Sequence, residues 1–296
     1  MTYLRRDVQQ LGGDWADPIL WYARAVASMR RRPLAEPTSW RFYAAIHGFD
    51  PHLWQKLGWL RPSDAPPAQP LIALYWNQGK RAGRDLLAWQ RFYLLAFEAN
   101  IRATLTELGG PRDWALPYWN AFAPNRNGLP PAFVSSDWPD GHGDNPLFSP
   151  QRYGPTEDEA GPPSIDGIGR DPANLAAPDI AEAEELRRRI GGTDPQPPHL
   201  PGLMFEKATA ALDPIFWLHQ ANIDRLWMAA GTPPPCAPAA RIDSPVFARP
   251  MPESRVWESA PAEMAEPTRL DYAYDDPSPH RPAPEQCDRA AARPLP

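Results

Sequence analysis

Residues 211–227 read Ala-Leu-Asp-Pro-Ile-Phe-Trp-Leu-His-Gln-Ala-Asn-Ile-Asp-Arg-Leu-Trp, and this stretch predicts the central helix of the chain. Asp213 is a suitable N-cap, and Pro214 suits the first helical turn because a backbone N–H is not needed there. Apolar residues then recur at helical spacing, while Gln220 and Asp224 lie on the same helix. Polar groups in an apolar core need partners, so we expect this helix to line a site or an internal network.

The composition indicates a globular chain with one large domain, or a core with a small accessory module. The 296 residues include 13 Trp and are 43% apolar, which is enough for a sizeable core. No apolar run approaches the length of a membrane-spanning helix, and none follows the basic N-terminus, so we expect a soluble, cytoplasmic protein that does not bind membranes. The net charge is −6 and the sequence has no basic stripe, and both observations argue against nucleic acid as a partner.

Periodicity and capping residues predict further helices along the chain. The first runs from Asp14 to Arg32, and the second runs from Ser39, its N-cap, to His47. A long helix follows, with Leu87, Gln90, Leu94, Phe97 and Ile101 on one face and Gly109-Gly110 at its end, so that Gln90 lies in the middle of an otherwise apolar face. A short charged helix is predicted from Pro178 to Ile190, after a loop rich in Pro, Gly, Asp and Ser.

Four segments resemble those of the tyrosinase, catechol oxidase and haemocyanin family. Residues 213–225 match its second copper-binding signature, Asp-Pro-x-Phe-Trp-Leu-His-His-x-x-x-Asp-Arg, except that Gln220 stands at the second His. Residues 89–98, Trp-Gln-Arg-Phe-Tyr-Leu-Leu-Ala-Phe-Glu, resemble the helix that carries the first copper's ligands. Tyr-Ala-Ala-Ile-His-Gly at 43–48 and Pro-Pro-His-Leu-Pro-Gly at 197–202 resemble the remaining ligand segments.

The resemblance implies a mainly α fold, a tyrosinase-like central four-helix bundle with long Pro/Gly-rich loops and a short irregular C-terminal tail. We expect residues 1–230 to form the helical domain and residues 231–296 to form a Pro-rich extension that packs on the core. Residues 270–275, Leu-Asp-Tyr-Ala-Tyr-Asp, are similar to the end of longer bacterial tyrosinase-like chains. The last twenty residues are expected to be disordered because of their composition.

The family places three histidines on each of two copper ions, and two of these positions hold histidine in this chain. By resemblance, His47 is a ligand position of the first copper and His199 one of the second. Arg81, Gln90 and Gln220 stand at three other ligand positions, and the segment after His199 lacks the last. One imidazole per ion is a poor copper site, and a guanidinium repels a cation, so we expect no cofactor and no metal.

Four residues are expected to support this site by the resemblance: Phe216, Arg91, Asp224 and Glu98. In the family, the residues at the Arg91 and Asp224 positions brace the two central helices. The Arg81 guanidinium needs an anion, either an internal carboxylate such as Asp85 or Glu98 or a bound ligand.

Two features outside these motifs stay open. His142 lies in Asp-Gly-His-Gly-Asp, where a glycine-flanked histidine is more often exposed than a metal ligand. Cys236 and Cys287 are the only cysteines, so the chain is not a disulfide scaffold, although one bridge between them is possible.

These observations leave three hypotheses for function. The first is an enzyme, such as a tailoring enzyme of secondary metabolism, that carries out non-redox chemistry on a small aromatic or carboxylated metabolite. Arg81 would bind an anionic group, Gln90 and Gln220 would form hydrogen bonds, and His47 or His199 would transfer a proton. The second is an inactive pseudoenzyme that binds a ligand or a partner protein, and the third is a phenol or catechol oxidase with substitute ligands.

Overall fold

The computed structural model describes residues 2–78, 86–121, 123, 126, 128–139, 143–152, 203–229, 247–265 and 270–277. Several residues considered above lie outside this part of the chain: Arg81, Asp85, His142, the helix predicted from Pro178 to Ile190, His199 and both cysteines.

The mainly helical class predicted from the sequence is confirmed. The α-helices of the described residues are α1 (Asp17–Arg31), α2 (Trp40–His47), α3 (Pro51–Lys56), α4 (Gln69–Tyr75), α5 (Leu86–Glu107), α6 (Pro214–Ala229) and α7 (Pro261–Ala265). No helix in these ranges is long and apolar enough to cross a membrane.

Side-chain caps explain where three of the helices begin. The Ser39 hydroxyl accepts a hydrogen bond from the backbone N–H of Phe42 at 3.1 Å, at the start of α2. Asp50 accepts from the N–H of Leu53 at 3.0 Å before α3. The Asp213 carboxylate accepts from the N–H of Ile215 at 3.2 Å, which fixes the first turn of α6. These caps are local, so the sequence alone was enough to predict two of them, Ser39 and Asp213.

Aromatic side chains fill the core where α2, α5 and α6 meet. Helix α1 packs against α5 and α2, and α5 packs against α6. Phe97 of α5 stacks on Trp217 of α6, with ring centroids 3.5 Å apart and planes 9° apart. Trp40 of α2 packs edge-on against both of these rings. This cluster holds the three helices in a fixed register beside the ligand positions predicted from the sequence.

Two small sheets tie the ends of the described chain to the bundle. Strand β1 (Tyr3–Arg5) pairs in parallel with β4 (Tyr272–Tyr274), so that Arg5 lies opposite Tyr274. Strand β2 (Phe247–Pro250) pairs antiparallel with β3 (Val256–Ser259). Sequence reasoning did not predict these strands because each has only three or four residues. The described parts of the extension after residue 246 pack on the helices, since Phe247, Ala248 and Met264 are buried in the core.

Candidate functional site

His47 is the last residue of α2, and its ring is enclosed by aromatic side chains. The centroid of its imidazole lies 4.9 Å from that of Phe216 on α6, and 6.0 and 6.3 Å from those of Trp89 and Tyr93 on α5. Its Nδ1 lies 2.8 Å from the backbone carbonyl oxygen of Lys207. A carbonyl only accepts, so Nδ1 carries the proton and Nε2 is the acceptor nitrogen. The imidazole is therefore held in one tautomer and one orientation.

Gln90 and Gln220 lie on the faces through which α5 and α6 pack. Gln90 shares its face of α5 with Phe97, two turns along the helix, and Phe97 stacks on Trp217. Gln220 is three residues beyond Trp217 and four beyond Phe216, so it lies on the matching face of α6. The two side chains are 4% and 3% exposed. From these helix positions we infer that the two carboxamides lie in the same region as His47 and Phe216, which contact each other between α2 and α6.

The carboxamides are not satisfied by hydrogen bonds within the described part of the chain. Neither amide atom of Gln90 has a partner there, and nor does Oε1 of Gln220. A buried polar group without a partner costs about 1–3 kcal/mol, so folded proteins retain few of them. Two glutamines in this condition on facing helices are typical of a site that completes its hydrogen bonds with a bound molecule.

An ion pair joins α5 to α6 beside these glutamines. Arg91 Nε lies 2.6 Å from Asp224 Oδ1, and both side chains are buried. The other carboxylate oxygen of Asp224 accepts hydrogen bonds from the Tyr272 hydroxyl at 2.6 Å and from Arg5 Nη1 at 3.2 Å. Burial would raise the pKa of Asp224, but the charges of Arg91 and Arg5 outweigh it and hold the pKa below its ordinary value. Asp224 is therefore ionised, and its contacts with Arg91 and Arg5 hold α6 to α5 and to the N-terminal strand.

Glu98 has its own partners within the core. Arg5 Nη2 lies 2.6 Å from one of its carboxylate oxygens, and Arg102 Nη1 lies 3.3 Å from the other. The backbone N–H of Leu116 also donates to Glu98 at 2.9 Å. Of the two internal carboxylates considered for Arg81, Glu98 is thus already paired with two arginines.

The structure separates the predicted site residues into two groups. His47, Gln90, Gln220 and Phe216 line one region, whereas Arg81 and His199 lie outside the described residues. The ring of His219, the neighbour of Gln220, packs edge-on against Trp119, with ring centroids 6.5 Å apart. Among the described residues, no three His, Cys, Asp or Glu side chains come together as a group that could hold a metal ion.

Sequence reasoning missed two buried arginines near this region, Arg5 and Arg249. Arg5 joins the N-terminal strand to Glu98 and Asp224, and Arg249 of β2 packs over the rings of Trp89 and Tyr93. The available signal was weak. Arg5 follows Tyr3 and Leu4, and Arg249 lies in the apolar stretch Phe247–Met251, but arginine is almost never fully buried without a partner.

Solved structures of polyphenol oxidases share this fold. The polyphenol oxidase of Grenache (Vitis vinifera) aligns with a TM-score of 0.57 and 17% sequence identity, covering 93% of this chain and 85% of that one. Active aurone synthase, a polyphenol oxidase described with a copper B, aligns with a TM-score of 0.56 and 16% identity over the same shares of the two chains.

Curated proteins give closer sequence matches. The tyrosinase HcTyr1 of Hahella sp. (strain CCB-MM4) is 32% identical over 238 residues, which are 71% of this chain and 50% of that protein. Polyphenol oxidase 2 of Agaricus bisporus is 38% identical over 84 residues, 23% of this chain and 15% of that protein. The chain therefore spans half the length, at most, of the curated relatives it matches.

These relatives correct the expectation that the chain has no cofactor. They are tyrosinases and polyphenol oxidases, one described with copper, so the family points to copper as the cofactor and the expectation was wrong. The expectation rested on the residues at the ligand positions, whereas the family assignment rests on the match of the whole central domain. The described side chains at the site, one imidazole and two carboxamides, do not by themselves fit two ions with three imidazoles each. Residues 79–85 and 153–202, with the other expected ligand positions, lie outside the described residues.

The model of the common central domain of tyrosinase matches residues 37–185 and 184–229. This match includes α2, α5 and α6, and with them His47, Gln90, Phe216 and Gln220. It covers more than half of the chain, and the match to HcTyr1 covers more than two thirds of it. The resemblance drawn from the sequence is thus confirmed, and the chain belongs to the tyrosinase family.

Proposed function

We propose that this chain binds and acts on a small aromatic compound, a phenol or an aromatic acid, between α2, α5 and α6. The observation that carries the proposal is a pair of buried glutamines: both amide atoms of Gln90 and the amide oxygen of Gln220 lack partners among the described residues. They lie beside Phe216 and His47, so an aromatic ring would find apolar walls and hydrogen-bonding groups together.

The substrate class comes from the names of the relatives. One is called a tyrosinase and others polyphenol oxidases, which names phenols as the compounds those proteins act on. A phenol hydroxyl both donates and accepts a hydrogen bond, and a carboxamide offers an acceptor oxygen and a donor nitrogen to match. The chemistry of the two glutamines therefore suits a phenol as well as it suits a carboxylic acid.

The role proposed for His47 is to accept the phenol proton. Its Nδ1 donates to the carbonyl of Lys207, so Nε2 is the ring nitrogen that would take the proton. Loss of that proton makes the aromatic ring electron-rich, and both oxidation and substitution of a phenol begin from such a ring. The residue roles thus hold for either reaction, and the relatives favour oxidation.

A binding or partner-regulating protein is the second candidate. Two of the three polar groups described at the site are carboxamides, which bind ligands but do not transfer protons near neutral pH. This observation favours recognition over chemistry, and a protein that sequesters a phenol or responds to it in contact with a partner protein would need no more.

Ligand affinity tests the proposal. We expect 4-hydroxybenzamide, a neutral phenol, to bind, and the variants Gln90→Leu, Gln220→Leu and His47→Ala each to weaken its binding about 3- to 10-fold, as loss of one hydrogen bond does. Gln151→Leu is the matched control. Both amide atoms of Gln151 are paired, with Trp59 and Leu57, away from the site. Unchanged affinity in all three site variants would refute the proposal.

Two further measurements on the same protein preparation distinguish phenol oxidation from binding alone. Copper content is measured together with oxygen uptake in the presence of catechol. Stoichiometric copper with oxygen uptake would assign phenol oxidation, whereas tight binding of the phenol with no conversion of any phenol offered would favour the binding role.

A further inference from the structure

Arg249 is a fully buried cation beside the candidate site. It lies on β2, and its guanidinium packs over three rings of α5, with Cζ 4.9, 5.0 and 5.4 Å from the centroids of Trp89, Phe92 and Tyr93. Trp89 and Tyr93 are the α5 rings that contact His47. Arg249 therefore lies one aromatic layer away from the imidazole.

No carboxylate of the described residues pairs with this guanidinium. Nη1 donates to the side-chain oxygen of Gln78 and to the backbone oxygen of Ala248, the latter at 2.6 Å. Nε and Nη2 are buried and have no hydrogen-bond partner among the described residues. Burial lowers the pKa of Arg249 to about 10, which still leaves the group charged at neutral pH. A buried charge without a counter-ion is costly, and the described residues supply none for Arg249.

Two other buried arginines show what the Nε and Nη2 atoms of a guanidinium bind when they are paired. Arg5 places Nε and Nη2 at 3.2 and 2.6 Å from a carboxylate oxygen of Glu98. Arg152 places the same two nitrogens at 2.7 and 2.8 Å from the two oxygens of Asp213. Nε and Nη2 form one side of the planar group and suit a carboxylate. In Arg249 these two nitrogens are the ones that have no partner among the described residues, whereas Nη1 is hydrogen-bonded.

Among the described residues, the surroundings of Arg249 provide one more unpaired hydrogen-bond donor and no carboxylate that pairs with it. The indole Nε1 of Trp89 is buried and has no hydrogen-bond partner in the described part of the chain. The phenols of Tyr43 and Tyr93 donate to backbone carbonyls, those of Pro250 and Tyr43. Unpaired donors surrounded by ring faces suit a molecule that has an anionic group on an aromatic body.

We propose that Arg249 binds the carboxylate of the substrate, which makes the substrate class of this chain an aromatic carboxylic acid. The inference rests on the proposed function, since it concerns the same site. Nε and Nη2 bind the two carboxylate oxygens, as they do in Arg152, while the aromatic ring extends toward Trp89 and His47. Arg249 is a specificity residue in this arrangement, and the proton transfer remains with His47.

Two ligands that differ only in charge test this inference. 4-Hydroxybenzoate and 4-hydroxybenzamide are titrated against the wild-type protein, Arg249→Lys and Arg249→Met, with circular dichroism to check that each variant is folded. We expect the wild type to bind the acid about 10- to 100-fold more tightly than the amide, as a charge-assisted bidentate pair does. Arg249→Met should remove this preference, and Arg249→Lys should keep only part of it because lysine lacks the planar fork.

Arg41→Met is the matched control, since Arg41 pairs with Asp64 at the edge of the protein and its loss should leave the preference unchanged. Equal affinity of the wild type for acid and amide would overturn the inference and leave the proposed function standing. A preference that survives in Arg249→Met would also overturn it. Failure of both ligands to bind the wild type would refute the proposed function as well. The wild-type comparison needs no variant, so the inference stays testable if Arg249→Met does not fold.

Discussion

Replacing Gln90 by leucine should make the protein more stable and a poorer binder. The carboxamide is 4% exposed, and neither of its amide atoms has a partner among the described residues. Leucine is close to it in size and needs no hydrogen bond. Removing the cost of one unsatisfied polar group gives an expected gain of about 1–3 kcal/mol in the free energy of unfolding. Affinity for a phenol should fall at the same time, because the group that costs stability is the group proposed to bind.

Urea denaturation measures this gain, and the slope against urea should not change because the folded state stays the same. Gln151→Leu is again the control. Its amide oxygen accepts from Trp59 at 2.9 Å and its nitrogen donates to Leu57 at 2.8 Å, so the variant should lose about 1–2 kcal/mol. The reasoning would be refuted if Gln90→Leu were destabilised as much as Gln151→Leu, since Gln90 would then have partners that stabilise the fold.

Three further predictions concern the frame of the site. Asp224→Asn should cost about 3–5 kcal/mol at pH 7 in urea denaturation. Because the pKa of Asp224 is lowered, this stabilisation is present above the unfolded pKa of about 3.9 and is lost as the pH falls through the folded value, so the variant should lose less stability in acid than the wild type. Gly48→Ala should weaken phenol binding and lower the melting temperature, since its Cβ would lie 2.5 Å from the carbonyl oxygen of Lys207, the partner of His47. Arg152→Met should destabilise the fold by about 3–5 kcal/mol by leaving Asp213 charged and buried, and should leave any preference for acid over amide in the folded fraction unchanged.

Local signals made the helices of the site predictable from the sequence. Ser39 and Asp213 cap the helices that follow them, and a cap acts on backbone groups two or three residues away. The position of Gln90 on a buried face also follows from the helical period alone. These features need no knowledge of the rest of the fold.

The buried contacts of Arg5 with Asp224 and Tyr274, and the short strands, were not predictable in this way. Arg5 reaches Asp224 across 219 positions and Tyr274 across 269 positions, and no local pattern signals such a contact. Arg249 was missed for the same reason, because the rings that surround it belong to α5, far earlier in the chain. The cofactor was predicted wrongly because the prediction weighed the replaced ligand positions above the rest of the sequence, whereas the match to the family covers the whole central domain.

The pairing of β1 with β4 also sets an order of events during synthesis. Strand β1 leaves the ribosome well before its partner at residues 272–274 is made. At about 5–20 residues per second, Arg5 waits on the order of 10–60 seconds for Tyr272 and Tyr274 to be made. Until then Asp224 lacks the hydrogen bonds that the hydroxyls of Tyr272 and Tyr274 donate to it, so the network around Asp224 is incomplete. Synthesis of β4, and not the folding of any single helix, is therefore the step that completes this network around Asp224.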